Sequence, residues 1–551
     1  MKKFHGHFGL ILIFLVLIIQ GISGQPLLTR AEASNYTETS RSGDVIDFLN
    51  SLQMLSHKLK ITSIGHSTEG RDIWLVILGD PVPSTPTQMI LSKKAAVYIQ
   101  ANIHAGEVEG KEAMLMLMRD ILLGQYRHLL DHLVLLIVPN LNPDGNERIN
   151  PQNRRNQLGP EGGVGVRHNG QLLDLNRDYV KLETPENLSA VQQILNRWDP
   201  LLLLDLHTTN GSYHQEPLTY DTAHNPNGNP MPVNYLRQQL FPWVAQQLKS
   251  RYRILSVPYG DFVDNSDPNK GWETFDHLPY YSTNYWGLRH RFAILNENYA
   301  YADYRTRIHA CYHFVELVLE YANNHLPEMQ ELIRQVDANT IAYGTSEDSA
   351  RIFGTKIQPF AMPQPILVQS YEFENFRDDQ GRLRVQKTDR LKNYEVPYLA
   401  DFRIMESVRF PKAYIFPGNL KEIAAKLQQH GILVEQFSAP ETLLVQAFKV
   451  EEVRADERIF QGHRLTRVRG HYLVTQKEFS AGTYFVGMDQ PLANLAAYLL
   501  EPASDCGLVV WNFLDRYLYT SQWSRELNQI PIFKLLQPIL LARTAVNPGL
   551  N

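Results

Sequence analysis

AAVYIQANIHAGEVEGKEAML, residues 95 to 115, is the stretch on which the fold is decided. The apolar run from Ala95 to Ile99 predicts a buried strand. It ends at Ala101-Asn102, His104-Ala105-Gly106-Glu107 follows, and a helical pattern opens near Glu109. Open α/β sheets hold their ligands in the crevice at the carboxyl ends of their strands. A histidine and a glutamate delivered there can face one spot, and an imidazole nitrogen with a carboxylate oxygen suits a divalent metal of the zinc type. The interval alone carries little. It recurs at His66/Glu69, His313/Glu316 and His325/Glu328, where an ordinary polar pair is the simpler reading. The strand-to-helix setting is what separates His104 and Glu107 from the others.

Working outward, Asp44 to Leu59 shows helical spacing, and Lys60–Ile64 and Ile73–Leu78 read as a hairpin about the turn Gly65–Arg71. His132–Val138 is nearly all apolar, as a strand covered on both faces should be. Pro139–Lys181 and Thr208–Pro232 are long loops rich in Asn, Gly and Pro, and loops of that length inside a compact domain are usually functional. Between them a helix at 185–198 precedes Leu201–Leu206, a buried strand ending at His207. Farther on, Val233–Arg251 reads as a helix and Arg291–Leu295 as a strand ending at Asn296-Glu297. Helices follow at Asp303–Asn323 and from Pro327 to about Ile341. Strands alternating with helices predict an α/β fold, a mixed, largely parallel sheet flanked by helices. After 342 short strand-like runs dominate, predicting a second, smaller α+β or β-rich C-terminal domain.

A chain of 551 residues is too long for one core, and its 44% hydrophobic and 20% charged residues describe a globular protein. A net charge of −5 without a dense Lys/Arg run argues against nucleic acid as a partner. Cys311 and Cys506 lie far apart; they read as buried thiols, with pairing left open. MKKFHGH, an apolar run Phe8–Ile19 and the small residues before Gly24 have signal-peptide anatomy, and twelve apolar residues are short for a span of about 20. The expected organisation is a signal peptide at 1–24, a flexible lead-in at 25–43, a catalytic domain at 44–341 and a C-terminal domain of unassigned role at 342–551. The expected location is secreted or periplasmic, with no membrane span once the signal is removed. The sequence leaves the oligomeric state open.

Three further sites place polar residues just past buried strands or in the long loops. His207 is a candidate third ligand, with Asp205 two residues back on the same strand face. In Leu173-Asp174-Leu175-Asn176-Arg177-Asp178, alternation puts Asp174 and Asn176 on one side, and Arg177 with Asn176 suits a substrate carboxylate, the plainer alternative being a salt bridge from Arg177 to Asp174 or Asp178. Glu297, near a metal-activated water, would be the general base.

Six motifs in order, IGHSTEGRDI, IHAGEVEG, VPNLNPDGNER, LDLNRD, DLH and ILNE, make residues 44 to 325 resemble the zinc metallocarboxypeptidase family, the carboxypeptidase A-like peptidases. The two-His, one-Glu zinc site is a known property of that family and comes with the resemblance. On that resemblance His104, Glu107 and His207 hold one Zn2+ ion, and Asp174 orients the first histidine. Asn176 and Arg177 bind the terminal carboxylate, and Glu297 is the general base. Arg154, with Arg155 as its alternative, stabilises the oxyanion. Tyr281 is the expected closing tyrosine, with Tyr280 and Tyr285 in range, and the specificity residue falls between about 255 and 290. The implied activity is that of an exported metallocarboxypeptidase that hydrolyses peptide bonds at or near the C-terminus of a peptide or protein with a free C-terminal carboxylate, using a zinc-activated water. The alternatives are a zinc amidase acting on cell-wall peptide stems, and a non-catalytic peptide-binding protein on the same scaffold.

Overall fold

The computed structural model describes residues 27–347, 350–518 and 528–546; the signal peptide expected at 1–24 lies outside the described residues. Ten strands form in the first part of the chain: β1 (Leu59–His66), β2 (Asp72–Leu78), β3 (Ala95–Ala101), β4 (Leu133–Val138), β5 (Leu202–Thr209), β6 (Leu218–Thr222), β7 (Ser256–Pro258), β8 (Asp261–Phe262), β9 (Trp272–Glu273) and β10 (Phe292–Tyr299). Eight of them make one sheet in the order β1-β2-β4-β3-β5-β10-β6-β7. The centre is parallel, β4 with β3, β3 with β5 and β5 with β10, while β1, β2 and β6 add antiparallel pairings.

Every residue of β3 and β4 is buried, because helices and aromatic side chains cover both faces. Alternate residues of β3 serve two cores. Val97 and Ile99 face the helices Glu109–Leu122 and Tyr304–Asn324, packing with Met114, Leu117, Ile308 and Phe314. Ala96 and Tyr98 face the other way, into a cluster with Tyr179, Tyr285 and Trp286 that runs on without a break to Tyr414, Tyr498 and Trp511. The C-terminal part thus shares one core with the sheet.

That part is β-rich. β11 (Ile352–Ala361) pairs antiparallel with β14 (Tyr398–Arg409), and β12 (Ile366–Arg377) with β13 (Leu383–Val396). β14 also runs parallel to β9, joining the two halves through the backbone. The rest is an antiparallel sheet built from β15 (Ala413–Phe416), β16 (Glu435–Phe437), β17 (Glu441–Ala455), β18 (Thr466–Phe479), β19 (Tyr484–Gly487), β20 (Gln529–Leu535) and β21 (Arg543–Ala545). The helices Lys421–Gln429 and Ala493–Leu500 accompany it.

The lead-in departs from expectation. From Leu27 onward it packs against the domain instead of running free. Thr39 Oγ1, Ser40 N and Ser40 Oγ donate hydrogen bonds of 2.7 to 2.9 Å to the fully buried Glu112 carboxylate. Polar residues that read as a flexible segment are here the partners a buried anion needs. Cys311 and Cys506 are separate, buried free thiols.

Gly110 sets how closely the helix Glu109–Leu122 approaches the sheet. A Cβ there would lie 2.6 Å from Leu206 Cβ and 3.2 Å from Ala101 Cβ, the last residues of β5 and β3 before the polar stretch. Gly110→Ala is therefore expected to destabilise the fold by about 1–3 kcal/mol through overpacking, read as a lowered urea midpoint. An unchanged midpoint would mean that the helix can move off the sheet without cost.

Candidate metal centre

Beyond β3 the chain turns at Asn102, whose φ of 62° is a left-handed conformation that asparagine tolerates better than most residues. Its amide donates to Asn140 Oδ1 at 2.7 Å and to Asn146 Oδ1 at 3.0 Å, which fixes the turn from inside. One short turn later Glu107 N donates to His104 O at 2.9 Å, so both side chains point into the crevice. His207 arrives from the end of β5, and Glu297 stands beside it as its register partner on β10.

His104, Glu107 and His207 come together. Their ligand atoms lie within 4.8 Å of one another and all three residues are buried. Glu107 sits between the imidazoles, with Oε1 3.1 Å from His104 Nδ1 and Oε2 2.9 Å from His207 Nδ1. Each ring turns its other nitrogen to a second carboxylate: His104 Nε2 is 2.9 Å from Asp174 Oδ1, and His207 Nε2 is 2.9 Å from Asp205 Oδ2. Asp205 also accepts from Ser282 Oγ. Two imidazoles and a carboxylate, each imidazole backed by a carboxylate on its far side, is the donor chemistry of a zinc site. Among the described residues no other group of three or more such side chains has this closeness. His313 pairs with Glu316 on a helix face and His325 with the Tyr321 carbonyl, ordinary contacts both.

The charges follow from the packing. Burial would raise the Glu107 carboxyl, but His104 and Arg154 outweigh it and hold its pKa well below the usual range. Burial would likewise raise Asp174, and His104 with Arg167 holds it well below. Burial would lower His207, yet Asp205 and Glu107 on its two nitrogens keep it well above an ordinary histidine. Glu297 goes the other way: burial pushes its carboxyl up to about 8, and the nearby Glu107 adds to the rise. Glu297 Oε2 is buried with no hydrogen-bond partner.

All of these groups except Asp174 and Asp205 line one cavity of about 200 Å³, with Arg154, Arg167, Asn176, Arg177, Tyr259, Phe275, Tyr281, Thr283 and Leu295. Asn176 Oδ1 accepts from Ser282 N at 2.8 Å. Asp174 is engaged by His104 and Arg167, and Asp178 by Lys181 and Thr184, while the Arg177 guanidinium lies 4.2 Å over the Tyr281 ring. Of the three candidate tyrosines Tyr281 lines the cavity; Tyr285 is fully buried with its hydroxyl on His430, and Tyr280 packs behind Tyr281 against Phe460 and Trp511.

Arg154 reaches the cavity wall and Arg155 is exposed. Arg154 is heavily engaged: Nη1 donates to Glu107, Nη2 to the Thr208 carbonyl and Nε to Gln157. Arg167, which the sequence reading did not single out, donates through Nε to Asp174 at 2.8 Å and holds Nη1 3.7 Å from Glu107. Its only signal was an arginine seven residues before Asp174 inside an irregular loop.

Residues 45–225 match the family model described as zinc carboxypeptidase. Human carboxypeptidase D is 29% identical over 164 residues, covering 28% of this chain and 11% of that protein. Mouse carboxypeptidase M is 32% identical over 139 residues, covering 24% of this chain and 28% of that protein. The chain thus spans less than a third of the length of these two mammalian relatives. A probable carboxypeptidase 2 from Arthroderma benhamiae is 22% identical over 443 residues, 74% of each chain. The likeness to zinc carboxypeptidases is thus carried by residues 45–225, and His104, Glu107 and His207 all lie inside that region.

Proposed function

We propose that this protein is an exported zinc-dependent carboxypeptidase that removes residues from the free C-terminal end of peptides. One observation carries the reading: the unpartnered Glu297 carboxylate oxygen stands in the same cavity as the ligand atoms of His104, Glu107 and His207. Export rests on the leader-like residues 1–24 and is compatible with the finding that no helix among the described residues is long and apolar enough to cross a membrane. The side chains that hold the metal, the substrate and the proton in this reading all lie before residue 341.

Zinc held by His104, Glu107 and His207 would supply a Lewis acid and lower the pKa of a water toward ~7. Glu297 accepts the proton of the attacking water and returns it to the leaving amine. Asn176 and Arg177 grip the terminal carboxylate, and the Tyr281 ring beneath the guanidinium limits its freedom before substrate arrives. The developing oxyanion needs a donor that is not already spent. Arg154 has its guanidinium committed on three sides, so Arg167 takes that task and Arg154 acts mainly by clamping Glu107 to the end of β5.

Mass spectrometry of a peptide mixture, with and without a chelator, tests the activity. Stepwise shortening from the C-terminus is expected, abolished by the chelator and restored by zinc; cleavage of cell-wall peptide stems instead would replace this substrate class. Glu297→Gln should retain zinc and lose turnover, and near-normal turnover would remove Glu297 from the role of base. Arg167→Ala is expected to lower kcat by about 10²–10³, with Arg177→Ala acting chiefly on KM. A kcat left intact by Arg167→Ala but lost in Arg154→Ala would send the oxyanion role back to Arg154. In the chelated protein at pH 7 the Glu297 carboxyl, with its pKa near 8, is mostly protonated. Its infrared carbonyl band should be missing from Glu297→Gln and should vanish when zinc is added, because a nearby cation favours the carboxylate.

A further inference from the structure

The segment carrying Asp174, Asn176 and Arg177 is enclosed by residues far along the chain. The loop joining β17 to β18, residues 456–465, folds over it. Gln461 Oε1 accepts a hydrogen bond from Asp174 N at 2.8 Å, across 287 positions of sequence. Gln461 has φ 51°, a left-handed conformation that costs a non-glycine residue energy and persists only where its surroundings demand it. The loop is closed by reciprocal bonds between Phe460 and His463, 2.8 Å from Phe460 N and 3.0 Å from His463 N. His463 then pins it on both sides, Nδ1 to Asn512 at 3.0 Å and Nε2 to Glu183 at 2.9 Å.

The same loop reaches a second part of the site. The Phe460 ring lies 5.9 Å from Tyr280 and 6.2 Å from Trp511. Tyr280 packs on Tyr281 at 4.8 Å, and Arg177 lies over both tyrosine rings, at 5.4 and 4.2 Å. Two adjacent residues therefore support two distinct devices. Gln461 holds the backbone of the residue that orients His104, and Phe460 holds the aromatic shelf beneath Arg177.

We infer that the 456–465 loop of the C-terminal domain is a working part of the catalytic site, with Gln461 a positioning residue for Asp174 and His104, and Phe460 a positioning residue for Arg177. This rests on the carboxypeptidase reading for its kinetic half only. The buried Asp174 N–H needs an acceptor. With Gln461 present, Asp174 is fixed at its backbone and at both carboxylate oxygens, by His104, Asn176 and Arg167. Without it the residue can rotate, and the imidazole it holds rotates with it. Partners of metal-binding histidines are worth about 10- to 100-fold in metal affinity; an atom one bond farther out should sit near the lower figure.

The test uses the full-length, zinc-loaded protein and three variants: Gln461→Met, of similar length without an acceptor; Gln461→Glu, which keeps an acceptor oxygen; and Phe460→Ala. Two readouts are taken, the rate of zinc transfer to a chelator, and kcat and KM on a peptide with a free C-terminus. Gln461→Met should release zinc about tenfold faster and lose kcat with KM little changed, and Gln461→Glu should recover most of both. Phe460→Ala should raise KM severalfold and leave zinc release as in the parent. The thermal midpoint of chelated Gln461→Met should match the parent, whereas Phe460→Ala, which strips a ring from the core, should lower it without moving zinc release. If Gln461→Met and Phe460→Ala only lower the thermal midpoint, with zinc release and kinetics unmoved, the loop is mere packing and the inference fails. Should the parent hydrolyse no peptide, the carboxypeptidase reading falls, while zinc release still decides for or against Gln461.

Discussion

The arrangement depends on one buried carboxylate. Glu107 stands between two imidazoles, each presenting Nδ1, and is the residue that ties the turn after β3 to the end of β5. An anion in so confined a place is costly unless every lone pair is met. It is met by His104, His207, Arg154 and the Thr208 backbone N–H, the last at 3.1 Å. Immediately behind it Glu109 repeats the pattern one layer deeper, paired with Arg307 at 2.5 Å and with the Thr208 hydroxyl. Two carboxylates of one short segment thus reach the same strand end, which sets how closely His104, Glu107 and His207 approach one another.

The surrounding charges divide the carboxylates into two kinds. Asp174 and Glu107 are held ionised by the His104 imidazole and the guanidinium groups packed against them, whereas Glu297 is driven toward its neutral form by its surroundings. Carboxylates held as fixed anions and one pushed toward its neutral form therefore differ in their neighbours, not in their chemistry. Pairs of this kind, pushed apart by environment, mark acid–base sites.

Much of this was legible in the chain. Apolar runs that end abruptly in polar residues announced the strand ends bearing His104, His207 and Glu297, because a fully covered parallel strand has no other way to read. Asp174, Asn176 and Arg177 were legible as a motif, although the 3₁₀ turn Leu175–Arg177 that carries them shows no periodicity of its own. Arg167 was not, since an irregular loop gives no pattern from which direction can be inferred. The C-terminal strands were seen only in fragments: TRVRGHYLVTQKEF, residues 466–479, is exposed or half-exposed along most of its length and lacks the clean alternation that signals a half-buried strand. The lead-in misled because Thr39 and Ser40 supply hydrogen-bond donors to the buried Glu112, and polarity alone does not distinguish a buried partner from a solvated tail.

The aromatic cluster that runs from Tyr98 through Trp286 to Trp511 has a consequence for how this molecule can be handled. Ending the chain after the helix Leu326–Thr345 would bare one whole side of that cluster to water and cut β14 away from β9. A shortened version made for crystallisation or biotechnology would thus expose a sticky apolar wound instead of a clean surface. The part of the chain that carries the metal centre is not a cassette that can be lifted out, because its core is completed by the C-terminal strands and helices.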